Sequence, residues 1–170
     1  MNRSAIALGL MAAIAGFAQN PIMADFNGRL AAYMKVHATA ASHMAAHTPT
    51  TKGTALAEAI RARRPDAVQG DIFTPSIAQE FRRIALVSLK NHSTEIHTSI
   101  QSGEIVPPAV RVNGSYPSGF PVETMPPSLL AALPALPEPL KYRLMSHALV
   151  LLDAEDKLVV DYIPSFLPEP

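Results

Sequence analysis

Apolar positions recur at helical spacing over the first half of the chain and gather into short β-branched runs at its end. Between Asp25 and His47, Phe26, Leu30, Tyr33 and His37 fall three or four apart, one stripe of a helix. Beyond Ala38 the stripe is mostly alanine, which predicts weaker packing there. Thr48 to Gly53 reads as a linker. Thr54 is placed to cap a short helix through Arg64, with Leu56 and Ile60 on one face and Pro65 ending it. Thr74-Pro75 is the strongest helix start: a capping oxygen, then a proline where its missing N–H costs nothing. Ile77, Phe81, Ile84, Ala85 and Leu89 form the apolar face of that helix, which should end near Lys90. Ser93 with Glu95 opens a further short helix to about Gln101, closed by Gly103.

Twelve of the sixteen prolines lie from Pro107 onward, so the helices belong to the first two-thirds. Val110-Arg111-Val112 alternates and runs into the turn dipeptide Asn113-Gly114. Ser128 to Leu133 has room for a turn and a half of helix, and Pro134, Pro137 and Pro139 should hold an extended connection. At the end, Lys141–Met145, Ala148–Leu152 and Leu158–Ile163 read as three short antiparallel strands. Ser146-His147 and the polar stretch Asp153–Lys157 join them. Two strands alone are marginal in water. Val110–Val112 should therefore join the sheet, or the helices should cover one of its faces. The expected fold is α+β: about four N-terminal helices, then a small antiparallel meander.

The first residues carry a different pattern. Arg3 precedes a 14-residue uncharged run, Ala5–Ala18, and Gly16-Phe17-Ala18 sets small residues where a signal peptidase cuts. A membrane span needs roughly 20 apolar residues, and Asn20-Pro21 interrupts this run. The reading is a cleavable secretory signal over 1–18, with Ala24 as an alternative cleavage position and no span left in the mature chain. It places the protein in the periplasm or outside the cell. Residues 25–53 then form an Ala/His-rich helix and linker, and 54–165 a single α+β domain.

With 170 residues, less the signal, the chain is one domain in size. Fourteen basic residues balance fourteen acidic ones, which gives no general basic field for nucleic acid. The absence of cysteine removes disulfides and thiolate chemistry, so the fold must rest on its core. Aromatic residues are 6% and Trp is absent, which predicts a mostly aliphatic core.

Two stretches carry a resemblance. One is Arg64-Pro65-Asp66-Ala67-Val68-Gln69-Gly70-Asp71-Ile72-Phe73-Thr74-Pro75. The other runs from Val110-Arg111-Val112-Asn113 through Leu129–Pro134 and Leu140–Arg143 to Val159-Val160-Asp161-Tyr162-Ile163. Over roughly residues 55 to 165 the chain resembles short, exported, uncharacterised bacterial proteins, a likeness that implies export and a small domain but no activity. The last hairpin alone is similar to the C-terminal hairpin of periplasmic nickel and cobalt homeostasis proteins.

Candidate chemistry is sparse. His43 and His47 are four apart, the spacing that lets one helix face offer two ligands to a transition metal, and His37 lies on the same helix. Met44 stands where a His-Glu-x-x-His motif has glutamate. Asp153-Ala154-Glu155-Asp156 reads as a hairpin turn, since it lacks the glycine and spaced ligands of a calcium loop. Asp161, inside a strand, reads as facing solvent. No Gly-x-Ser-x-Gly elbow and no phosphate-binding loop occur, so no catalytic residue and no organic cofactor are assigned. Arg61, Arg63, Arg64, Arg82 and Arg83 read as solvated. The first expectation is a non-catalytic exported domain that binds a protein or an envelope component. The alternatives are a transition-metal-binding or metal-responsive protein, using His37, His43 and His47, and a small hydrolase without a recognisable motif.

Overall fold

The computed structural model describes residues 20–45, 52–91, 110–116, 125–145 and 147–167. Within them the order is α1 (Pro21–Ala45), α2 (Lys52–Arg63), α3 (Pro75–Asn91), α4 (Pro127–Ala132), β1 (Leu140–Met145), β2 (Ala148–Asp153) and β3 (Leu158–Ile163). This is the expected α+β arrangement, with the helices first and a three-stranded antiparallel meander in the order β1-β2-β3 at the end. The helix expected over Ser93–Gln101 lies outside the described residues, as does the Thr48–Thr51 part of the expected linker.

The helix starts follow local chemistry. α1 begins four residues before Asp25, because Asn20 caps it: its side-chain oxygen accepts the Ile22 N–H at 2.9 Å, and Pro21 takes the first helical position. α3 begins at Pro75, with Thr74 Oγ1 accepting the Ile77 N–H at 3.4 Å. α1 packs against both α2 and α3, and α4 packs against α3.

Phe26, Leu30 and Tyr33 on α1, Leu56 and Ile60 on α2, and Ile77, Phe81 and Ile84 on α3 are all buried in one core. From the sheet, Leu140, Tyr142, Leu144, Leu149, Leu151, Leu158, Val160 and Ile163 enter the same core. Most of its residues are aliphatic, as composition implied, but its centre is aromatic. Phe26 meets Phe73 at 5.8 Å and Phe81 at 5.0 Å between ring centroids, and Phe81 meets Tyr142 at 6.0 Å. Those rings join α1, the loop before α3, α3 itself and β1.

The helices cover one face of the sheet. Met145, Val150, Leu152 and Val159 line the other, against Tyr116. Of the two supports expected for the sheet, cover by the helices is the one found, and Val110–Val112 forms no strand. Gly114 N–H instead donates to the Arg111 carbonyl, closing a turn. Asn113, Gly114 and Tyr116 then pair with Val159 and Lys157, so the segment meets β3 through Ser115 opposite Leu158. Arg61 fixes it to α2, donating to the Asn113 carbonyl at 2.7 Å and to Ser115 Oγ at 3.0 Å. Asn113 returns a bond to the Arg64 carbonyl at 2.7 Å. Arg82 likewise donates to the carbonyls of Pro164 and Ser165. These arginines belong to the architecture more than to a solvated face.

Asp161 corrects another expectation: it is fully buried. Alternation from Leu158, which is inside, puts 160 and 162 inside and 161 outside. The register breaks between Leu151 and Leu152, however, whose partners are Asp161 and Val159. Val160 is the extra residue of a bulge, and it turns every later side chain to the opposite face. Asp161 and Ile163 thus point towards the helices and Tyr162 away. The Asp161 carboxylate accepts the N–H groups of Gly70 (3.0 Å), Ile72 (2.8 Å), Phe73 (2.8 Å) and Tyr162 (2.8 Å). It stitches the loop before α3 to the sheet, and Gly70 reaches it with a φ of +96°, open to glycine at little cost.

Candidate metal centre

Three chemistry-bearing side chains converge where the middle of α1 crosses the β2–β3 turn. His37, Asp153 and Asp156 each place a ligand atom within 4.8 Å of the others. His37 follows Tyr33 by one helical turn on the buried stripe of α1, so it faces the sheet and is only 7% exposed. Asp153 ends β2 two residues after Leu151 and shares its inward parity, which buries it completely. Asp156 lies in the four-residue turn that follows and is 8% exposed.

Each group is held differently. Tyr33 donates its hydroxyl to Asp153 Oδ2 at 2.6 Å, and Asp153 Oδ1 accepts the Glu155 N–H at 3.2 Å. Burial first, then this bond and the Asp153 charge, raise the Tyr33 phenol far beyond its ordinary range, so it stays a donor. The Arg64 guanidinium lies over the Tyr33 ring, 5.1 Å from its centroid. His37 Nε2 stands 3.4 Å from Asp153 Oδ2 and 3.6 Å from Glu155 Oε2, ion-pair distances without hydrogen-bond geometry.

Asp156 is the unusual member. Both of its carboxylate oxygens are buried without a hydrogen-bond partner, as is His37 Nε2. Burial, then the charges of Asp153 and Glu155, push its carboxyl up to about 7, with Arg61 opposing. Buried polar atoms are ordinarily hydrogen-bonded. Here three unsatisfied lone-pair donors share one spot, beside a carboxylate already oriented by Tyr33. A cation fits that donor set, because it satisfies all three atoms and offsets the carboxylate charge together. Asp153 with Tyr33 has the form of a metal-binding carboxylate oriented by an outer hydrogen bond.

Of the sequence-derived ligands, His37 is in this cluster. His43 lies six residues further along α1, about 9 Å along its axis, and is exposed. His47 lies outside the described residues. Sequence alone marks Asp153 and Asp156 only as turn residues. Asp153 continues the inward parity of Leu149 and Leu151, the pattern along the chain that marks it as buried. Nothing local marked Asp156.

A separate apolar groove of about 550 Å³ runs between the Leu130–Leu136 stretch and β1. Leu133, Leu136 and Tyr142 line it, with Lys141 and Arg143 on the same wall, and the Tyr142 hydroxyl donates to the Pro134 carbonyl at 3.1 Å. Pro134-Ala135-Leu136-Pro137 is therefore built into the wall of a groove, as an extended connection. Among the described residues, no helix is long and apolar enough to cross a membrane. No family model, curated protein or solved structure matches this chain.

Proposed function

We propose that this is an exported, non-catalytic binding domain whose ligand is a divalent transition-metal ion, held by His37, Asp153 and Asp156. One observation carries the reading: His37, Asp153 and Asp156 each bring a ligand atom within 4.8 Å of the others, and His37 Nε2 and both Asp156 oxygens are buried there without a hydrogen bond. One imidazole and two carboxylates suit zinc, cobalt, nickel or manganese, and no thiolate is present to favour copper(I). The likeness of the last hairpin to nickel and cobalt homeostasis proteins points the same way. Export follows from the 1–18 signal. Cleavage after Ala18 leaves the Asn20 cap and the buried Met23 in place, whereas cleavage after Ala24 removes both. This supports a mature chain that starts at Gln19 over one that starts at Asp25.

The test uses chelator-stripped protein titrated with zinc, cobalt, nickel and manganese, read by calorimetry and by thermal unfolding. One equivalent should bind and raise the unfolding temperature. His37→Ala and Asp156→Asn should each abolish that rise, and His43→Ala should keep it. A wild-type protein that neither binds nor shifts would refute the assignment. Loss of the response in His43→Ala, with retention in Asp156→Asn, would also refute it and place the ion at the His43–His47 pair.

A further inference from the structure

We propose that Glu155 is a fourth, exchangeable ligand, so that the centre takes up and hands on its ion and does not lock it in. The inference rests on the metal reading above and concerns what that site is for. A structural centre closes four protein ligands around the ion. Here three donors are buried, and the fourth available group stands at the surface. Glu155 lies between Asp153 and Asp156 in the same turn, with Oε2 3.6 Å from His37 Nε2. Its side chain is 48% exposed, against 0% for Asp153. Its backbone is fixed by its own N–H bond to Asp153 Oδ1, while its carboxylate accepts no hydrogen bond from another described residue. It is thus anchored at the root and free to turn at the tip.

Charge points in the same direction. The carboxylates of Asp153 and Asp156 already neutralise a divalent ion, and neutral His37 adds nothing. Glu155 would carry the ligand set one negative charge past balance, and its carboxylate, 48% exposed, is the group that water can best stabilise once it leaves the ion, so it is the one that opens first. α1 covers the other side of the cluster through His37 and Tyr33. Glu155 therefore stands on the solvent side, where an incoming carboxylate or imidazole of a recipient could replace it without disturbing the buried three.

The experiment loads the full mature chain with cobalt(II) or zinc(II) and chases it with excess EDTA, following release by stopped flow. Wild type should release its ion within seconds to minutes. Glu155→Gln, an exposed and nearly isosteric change, should leave the metal-free protein folded, with its unfolding still cooperative. It should bind one equivalent about tenfold more weakly, mostly through faster release. Equal affinity and release rate in Glu155→Gln and wild type would overturn the role of Glu155 while the three-ligand site stood. An ion retained against EDTA for hours would overturn exchange and mark a locked centre. A wild-type chain that binds no ion would sink the metal reading itself, and this inference with it.

Discussion

Asp156 has an unsettled place in the metal-free protein. Its folded carboxyl titrates near 7, pushed up by burial and by Asp153 and Glu155, whereas an unfolded aspartate ionises near 3.8. Between those values the folded chain holds a proton that the unfolded chain has released. Its contribution to stability is therefore fully present below about pH 4 and is lost as pH rises to about 7. Without metal, wild type should lose stability relative to Asp156→Asn across that window. Urea denaturation of both proteins at pH 4.5, 6 and 7.5 measures the difference. Saturating zinc should erase the wild-type loss at the highest pH, because the ion takes the place of the proton. Little of this could be read along the chain. The helical spacing of Tyr33 and His37 put them on one inward stripe, and they are there. That His37 meets Asp153 and Asp156 depends on β-strand register more than a hundred residues away, which spacing along one helix does not contain.

At the level of elements, the sequence patterns located most of the structure. The Thr74-Pro75 start of α3, the short α4 and all three strands lie within a residue or two of where periodicity and prolines put them. What periodicity missed was a single residue. The bulge at Val160 reverses the faces of β3 and carries Asp161 inside, where it accepts four backbone N–H groups. Alternation assumes an unbroken ladder, and a bulge leaves no compositional mark. Asp161→Ala should strand those donors in the core and cost more than about 3 kcal/mol, read by chemical denaturation. The failed Val110–Val112 strand has a related cause. Gly114 sits so close to Arg111 that an added Cβ would lie 2.8 Å from its carbonyl oxygen. The turn is therefore tighter than the alternation before it suggested. Gly114→Ala should lower stability by about 1 kcal/mol or more and loosen the contact with β3, visible as faster amide exchange at Val159.

Over the whole molecule, the aromatic centre holds the layers together. Phe81 touches Phe26, Phe73 and Tyr142, which belong to α1, the loop before α3, and β1. Phe81→Ala should cost about 3–5 kcal/mol and broaden or abolish the calorimetric transition, since no single element owns the contact. A composition of 6% aromatics gave no hint that the few present would gather. The Tyr33–Asp153 bond spans 120 residues and ties the start of the described chain to its end. That span bears on where the proposed centre would acquire its ion. A chain that crosses a membrane unfolded and N-terminus first carries His37 over long before Asp153 and Asp156 follow. Under the export proposed above, a chain held unfolded on the departing side has not yet brought these donors together, so the proposed site could not load there. The proposed centre would then draw its ion from the pool on the arriving side, after the last hairpin has crossed and closed against α1.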